Sequence, residues 1–235
     1  MTVAQDRGQA REDYLGRFFN FVIVQWTITN YLARFLLHPR AQGRTRMPSA
    51  IVGSQIVTTP ARQMARIAGA LYLVTIATSL YGSYGLKTRL AFDCGLVALA
   101  VFVIVTALLY FLFKPVSRSL SFVAALFGMA GVSMGFLNSF HLAPFRIKTL
   151  VIFAFYCMLI GVLIVRSSFM PRLVGVLMVI AGPGYLTLLW PALGNSLSPW
   201  NLIPGGVAEL TLAVWLLMKG VDQQRWTEQS RIAAQ

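Results

Sequence analysis

Six strongly apolar stretches follow one another along residues 64–218, and short segments that hold most of the nearby Lys and Arg separate them. A helix needs about 20 apolar residues to cross the hydrocarbon core of a bilayer. The stretches approach that length, and the spans that they predict are 67–84, 90–113, 120–140, 150–165, 173–190 and 202–218. The pattern therefore predicts an all-α polytopic membrane protein, a bundle of about six transmembrane helices.

Composition agrees with this class. Of the 235 residues, 57% are hydrophobic and 11% are charged, and the mean hydropathy of +0.69 lies outside the usual soluble range. The net charge is +13, but the basic residues flank apolar runs, so they predict contact with the bilayer, including anionic lipids, and no nucleic acid. Cys94 and Cys157 form no CxxC pair and are expected to be apolar fillers. No cofactor is predicted.

The basic residues also predict the orientation of the spans, because short loops rich in Lys and Arg tend to stay in the cytoplasm. One set of boundaries carries Arg62, Arg66, Lys114, Arg118, Arg166, Arg172, Lys219 and Arg225, whereas the other set carries Lys87, Arg89, Arg146 and Lys148. Eight against four favours a cytoplasmic location for both ends of the six-helix unit.

Three regions follow from this pattern: a basic amino-terminal region 1–63, the six-helix unit 64–221 and a short cytoplasmic tail 222–235. Within the first region, residues 15–37 are apolar, but Asn20, Thr27 and Arg34 recur at sevenfold spacing on one helical face. This stripe favours a helix lying on the membrane, with a seventh span as the alternative. Translation from Met47 or Met64, with the upstream stretch as an extension, is a third reading.

Four short blocks in the six-helix unit carry a family resemblance. They are RIAGALYL at 66–73, LY at 109–110 with KPV at 114–116, RS at 166–167 with PR at 171–172 and GVL at 175–177, and EL at 209–210 with WLLMKG at 215–220. In this order they resemble the bacterial domain-of-unknown-function family 4386 of multi-pass membrane proteins. The resemblance implies a bacterial inner-membrane location and no established activity.

One acid, Glu209, lies within the last span, where an ionised carboxylate without a partner is costly. It is a candidate proton carrier or cation ligand, and the alternative is a carboxyl group that fixes helix packing by hydrogen bonds. Counting inward from each outer boundary places four hydroxyl-bearing residues near the depth of Glu209, namely Thr75, Thr78, Ser133 and Tyr156. They predict a small polar cavity inside the membrane.

Other features lie near this depth or at the outer boundary. Gly182, Pro183 and Gly184 predict a kink or break in the fifth helix, because proline removes a backbone donor. Gly205 and Gly206 lie one turn before Glu209 and leave room for a partner helix, a water or a ligand. The predicted outer rim of the cavity is formed by Asp93, Asn138, His141 and Arg146.

The chain carries no complete signature of the common enzyme classes, since there is no HExxH, no GxSxG elbow between a strand and a helix, no phosphate loop and no pair of intramembrane carboxylates. The GxSxG spacing at 131–135 lies within the predicted span 120–140. Neither catalytic residues nor a metal site is predicted. The favoured hypothesis is a non-catalytic membrane subunit or a regulator that binds lipid, a membrane partner or a second copy of itself. The alternative is a small proton- or cation-coupled transporter that uses Glu209.

Overall fold

The structure is a computed structural model, and it describes residues 61–84, 88–140, 142 and 149–233. These residues form helices, and no strand occurs among them. The helices are α1 Ala61–Tyr84, α2 Arg89–Phe113, α3 Arg118–Ser139, α4 Thr149–Arg166, α5 Arg172–Leu186, α6 Pro191–Leu197, α7 Ile203–Met218 and α8 Gln223–Ile232, with 3-10 turns at Thr187–Leu189 and Trp200–Leu202. The predicted helix 15–37, His141 and Arg146 lie outside the described residues.

Six of these elements are long and apolar enough to cross a membrane: α1, α2, α3, α4, α5 with its following turn, and α7 with its preceding turn. The predicted all-α fold with six membrane-spanning helices is confirmed. The observed bounds also agree closely with the predicted ones, as in α2, which covers Arg89–Phe113 where 90–113 was predicted. Hydropathy locates such helices well because a backbone inside a bilayer must satisfy its own hydrogen bonds.

Short polar segments begin α2 and α3. Thr88 precedes α2, and its side chain accepts a hydrogen bond from the amide of Ala91. Ser117 precedes α3 and accepts in the same way from Leu120. Such N-caps satisfy amides that have no partner within the helix. Ser117 lies in the short segment in which the chain reverses between α2 and α3. These two helices lie side by side.

The six long helices form a closed ring. Each packs chiefly against two neighbours, in the order α1, α2, α3, α4, α5, α7, and α7 then packs against α1. In this arrangement α1, α3 and α5 end where α2, α4 and α7 begin; we call this end of the bundle the cavity face. The other end, where α1, α3 and α5 begin, is the opposite face.

Glycines bring helix backbones close together in the half of the bundle nearer the opposite face. A Cβ atom at Gly69 of α1 would lie 2.5 Å from the amide nitrogen of Leu217 in α7. A Cβ at Gly161 of α4 would lie 2.7 Å from the carbonyl oxygen of Gly175 in α5, and the reverse distance is the same. Small residues permit such approaches, which supply van der Waals contact where lipid offers no hydrophobic driving force.

The outward faces of the ring are apolar. Many large aliphatic and aromatic side chains are exposed there, including Ile67, Val74, Phe122, Ile180 and Leu210. In water such a surface would be unfavourable, whereas in a bilayer it contacts lipid tails. The described part of the chain is therefore that of a multi-pass membrane protein.

The polar helix α8 crosses the opposite face, where the sequence had indicated only a tail. Gly220, with a φ of 68°, ends α7, and Asp222 caps α8 by accepting from the amides of Gln224 and Arg225. The indole Nε1 of Trp226 donates to the carbonyl of Leu112 at the end of α2 over 2.9 Å. Gln229 accepts hydrogen bonds from the amide and hydroxyl of Ser168, between α4 and α5.

Replacing Trp226 with phenylalanine is expected to loosen α8, because the ring keeps its packing but the carbonyl of Leu112 loses its indole donor. A hydrogen bond of this kind contributes about 1 kcal/mol. Hydrogen exchange followed by mass spectrometry should show faster exchange over residues 223–232. Trp200→Phe is the matched control, since Trp200 is 73% exposed. If residues 223–232 exchanged at the wild-type rate in Trp226→Phe, the hydrogen bond from Trp226 to Leu112 would not be what keeps α8 in place.

Candidate functional site

A cavity of about 510 Å³ lies inside the ring and extends to the ends of the helices at the cavity face. Residues from α1, α2, α3, α4, α5 and α7 line it together with Leu202. Gly82, Ser139 and Thr149 lie at the end nearest the loops, and Glu209 lies deeper in the bundle. Most of the wall is apolar, as expected between membrane helices.

Glu209 is the seventh residue of α7, which places it about 9 Å along the helix from its first residue. Its side chain is only partly exposed, and that exposure is toward the cavity it lines. The hydroxyl of Tyr185 in α5 donates to its Oε1 over 2.5 Å. The carboxylate is thus held by a neighbouring helix while it faces the cavity.

The hydroxyl of Tyr72 in α1 lies near the same carboxylate. It is buried and has no hydrogen bond of acceptable geometry within the described part of the chain. Buried hydroxyls are normally satisfied by protein or water. The hydroxyls of Tyr72 and Tyr185 therefore both lie beside the carboxyl group of Glu209.

Gly205 makes the contact between α5 and α7 possible. It lies one turn before Glu209, and a Cβ atom there would overlap the ring and hydroxyl of Tyr185. The room that the sequence predicted at this glycine is thus occupied by the tyrosine that binds Glu209. Gly206, by contrast, faces open space and lines the cavity.

An aromatic cluster borders the cavity; it consists of Tyr72, Phe102, Phe153, Tyr156 and Tyr185, and all but Tyr156 line the cavity. Phe102 of α2 is central, with ring centroids 6.0 Å from Tyr72, 5.3 Å from Phe153 and 5.3 Å from Tyr156. The ring of Phe153 lies 6.1 Å from that of Tyr185. Four of the six helices contribute to this cluster.

The structure separates the hydroxyl residues that the sequence grouped with Glu209. Thr75 lines the cavity, but its hydroxyl donates to the carbonyl of Leu71 in its own helix over 3.0 Å. Thr78 donates to Val74, and neither it nor Ser133 lines the cavity. The ring of Tyr156 packs edge-to-face against that of Phe102, and the hydroxyl of Tyr156 is buried near Thr106. Glu209 and Thr75 therefore share the cavity, whereas the other three residues do not line it.

The structure shows no break at Gly182, Pro183 and Gly184, although the sequence predicted a kink or a break there. Helix α5 continues through Pro183 to Leu186. The two glycines serve packing, because a Cβ at Gly182 would overlap the side chain of Met158 and one at Gly184 would lie 2.5 Å from the carbonyl oxygen of Asn201. Membrane helices tolerate proline where neighbouring helices and local adjustments compensate for the missing donor.

The described residues of the predicted rim lie at the cavity face. Asp93 is exposed in the first turns of α2 and does not line the cavity. The side-chain amide of Asn138 donates to the hydroxyl of Thr149 over 2.9 Å and ties the end of α3 to the start of α4. Thr149 itself lines the cavity. Asn138 therefore supports the wall without forming part of it.

Sequence reasoning missed Tyr72, Phe102, Phe153 and Tyr185, the aromatic residues nearest Glu209. A signal was available for the tyrosines, because a tyrosine within a membrane span usually finds a hydrogen-bond partner for its hydroxyl. The phenylalanines carried no such signal, since phenylalanine is common on every face of a membrane helix.

The site can exchange one proton or hold one positive charge, because Glu209 is the single acid among the described residues that line the cavity and no Lys, Arg or His joins it there. No group of three or more His, Cys, Asp or Glu side chains suited to a metal occurs in the described part of the chain. Glu209 alone could supply one carboxylate ligand to an ion.

Comparison with known proteins agrees with the resemblance found in the sequence. An uncharacterized protein of Archaeoglobus fulgidus (strain ATCC 49558 / DSM 4304 / JCM 9628 / NBRC 100126 / VC-16) is 26% identical over 159 residues, which cover 64% of this chain and 90% of the relative. No solved structure matches. Residues 141–220, which include α4, α5 and α7, match the family model described as Domain of unknown function (DUF4386). The similarity of the chain to this family is thereby confirmed over those residues.

Proposed function

We propose that the protein is a non-enzymatic transporter that carries protons across the membrane on Glu209, alone or together with a small ligand in the cavity. The observation that carries the proposal is the position of Glu209, which lies at the inner end of a cavity of about 510 Å³ and is held there by Tyr185. A carboxyl group inside a membrane exchanges a proton or a cation more readily than it remains ionised without a partner.

The shape of the cavity supports transport in one further respect. It extends to the cavity face and ends at the aromatic cluster, so a ligand at Glu209 has access from one side of the bundle. Alternating access by a transporter requires a site with this one-sided character in each of its two states. Rearrangement of the aromatic cluster would transfer access to the opposite face.

The distribution of charge supports an orientation with the opposite face in the cytoplasm, and the family resemblance is the basis for proposing a bacterial inner membrane. Along the described residues, that face carries Arg62, Arg66, Lys114, Arg118, Arg166, Arg172, Lys219, Arg225 and Arg231, accompanied by the acids Asp222 and Glu228. At the cavity face the described charges are Arg89 and Asp93. Basic residues concentrate on the cytoplasmic side of membrane proteins, where they also contact anionic lipid headgroups.

Proton flux into proteoliposomes tests the proposal. Wild-type protein is expected to dissipate an imposed pH gradient, as read by a dye enclosed in the vesicles, and Glu209→Gln is expected to lose this flux. Glutamine keeps an oxygen that can accept from Tyr185 but carries no exchangeable carboxyl proton. The control is Glu228→Gln, the same change at an exposed acid of α8.

Size-exclusion profiles and thermal melts establish that each variant is folded. Equal flux in wild type and Glu209→Gln would overturn the proposal, and so would the absence of flux in folded wild-type protein.

A second candidate is a non-catalytic membrane subunit or regulator that binds lipid, a partner or a second copy of itself. The basic opposite face and the polar helix α8 favour it, because both offer charged groups outside the bundle. Folded wild-type protein that carries no flux and retains bound anionic lipid or a co-purifying partner would support this candidate over the transporter.

A further inference from the structure

We propose that the cavity binds a small organic cation with an apolar body, and that its positive centre lies at Glu209 among the aromatic rings. This inference deepens the proposed function by naming the class of ligand. It uses the same cavity, but it is a statement about binding and can be tested without transport.

The charge of the cavity selects for a cation. Glu209 is the single group with a formal charge among the described lining residues. Electrostatic interactions are strong where water is scarce, so a cation gains a close counter-ion and an anion meets repulsion. A neutral ligand would leave the carboxylate without this compensation. Of the three kinds of ligand, a cation is the one that the charge favours.

The aromatic rings beside Glu209 favour the same kind of ligand. Tyr72, Phe102, Phe153 and Tyr185 all line the cavity. A positive centre over the face of an aromatic ring is attracted by the ring's quadrupole, most strongly when the centre has lost its water. Quaternary ammonium groups are recognised in proteins by aromatic side chains in this way. A carboxylate bordered by such rings suits an alkylated ammonium.

The remaining wall selects an apolar body. Ile76, Leu80, Leu99, Val132 and Leu150 line the cavity beyond the rings. The serine hydroxyls are already engaged, because Ser79 donates to the carbonyl of Thr75 and Ser139 donates to that of Gly135. Few free donors are therefore left for a strongly polar ligand. The volume of about 510 Å³ lies within the range of small-molecule sites.

An inorganic cation fits the cavity less well. Calcium and magnesium take six or more oxygen ligands from several carboxylates, carbonyls and waters. The described lining offers one carboxylate, whose hydrogen-bond partner is the hydroxyl of Tyr185. A ligand with its charge shielded by carbon makes better use of the aromatic rings than a hydrated metal ion does.

Two molecules of nearly equal shape isolate the contribution of charge: benzyltrimethylammonium and its uncharged carbon isostere neopentylbenzene. Binding to purified full-length protein in detergent is measured by calorimetry and by the shift in melting temperature. Wild-type protein is expected to bind the cation at least tenfold more tightly than the isostere. Glu209→Gln should lose at least tenfold in affinity for the cation and little for the isostere, while Glu228→Gln should match wild type.

Phe153→Leu provides a second variant, because it removes a ring but keeps an apolar wall. It should weaken binding of the cation more than binding of the isostere, a difference that a general loss of packing would not produce. Equal affinities for the two molecules, or a cation affinity that Glu209→Gln leaves unchanged, would overturn the assignment of the ligand class.

The two proposals fail separately. Selective binding of the cation together with absence of proton flux would support the ligand class and overturn transport. Proton flux that depends on Glu209, together with no preference for the cation, would support transport and overturn the ligand class.

Discussion

Replacing Gly69 with alanine is expected to lower the stability of the bundle by about 2 kcal/mol, in the range found for overpacked cores. The added Cβ atom would lie 2.5 Å from the amide nitrogen of Leu217 and 2.7 Å from the carbonyl oxygen of Ala213. Both are backbone atoms, so no side-chain rotation relieves the overlap. Helix α7 would have to move away from α1, which opens the ring where the two helices close it.

The melting temperature of the purified protein in detergent measures this effect, and a decrease of roughly 5 °C is expected for a chain of this size. Gly95→Ala is the matched control, because a Cβ atom at Gly95 of α2 would have no neighbour within 4 Å. Alanine is favoured over glycine in a helix by about 1 kcal/mol, so this variant should melt at the wild-type temperature or above it. Equal melting temperatures for the two variants would show that α1 and α7 separate without cost.

Replacing Phe102 with alanine is expected to have the largest effect on stability and on the seal of the cavity. The ring is 7% exposed and contacts the rings of Tyr72, Phe153 and Tyr156. Removal of a buried phenylalanine costs about 3–5 kcal/mol in soluble cores, and the lost contacts are of the same kind here. The gap would also extend the cavity toward Tyr156, which contacts Phe102, and we expect it to weaken the barrier toward the opposite face.

Melting temperature and proton flux into proteoliposomes measure the two consequences of Phe102→Ala. We expect a lower melting temperature and a faster loss of the pH gradient than in wild type. Phe122→Ala serves as the control, since Phe122 of α3 is 54% exposed on the outside of the ring and lipid can replace its contacts. If Phe102→Ala had the same melting temperature and the same rate of pH-gradient loss as Phe122→Ala, the aromatic cluster would not seal the cavity.

The helices could be predicted from the sequence because their cause is local. A segment inside a bilayer must satisfy its backbone hydrogen bonds within itself, so apolar length and helix location coincide. Helix α2 begins one residue before its predicted span. Helix α4 begins one residue before its predicted span and ends one residue after it. At Pro183 a local argument predicted a kink or a break, and the helix α5 is continuous there. Contacts of its glycines with neighbouring helices accompany this continuity.

The candidate site was predictable in one part and not in another. Glu209 stands out in an apolar run whatever the arrangement of the helices. Its partners depend on that arrangement, because α7 packs between α1 and α5 and not beside α3. Depth along the membrane can be counted from the sequence, but the direction in which a side chain points around its helix cannot. Ser133 and Thr78 were therefore grouped with Glu209 on depth alone, whereas Tyr185 and Tyr72 were missed.

The sequence by itself determined the membrane class, the six spans and the presence of one carboxyl group deep within the last of them, because each follows from the cost of polar groups in hydrocarbon. Only the tertiary structure decided the closed ring, the cavity, the aromatic cluster and the contact between Tyr185 and Glu209. These features depend on the order in which helices pack and on their rotation about their own axes. Many packing orders bury a similar amount of apolar surface, so hydropathy does not distinguish among them. Close contacts at residues such as Gly69, Gly161 and Gly205 do distinguish among them, because each requires a particular neighbouring helix.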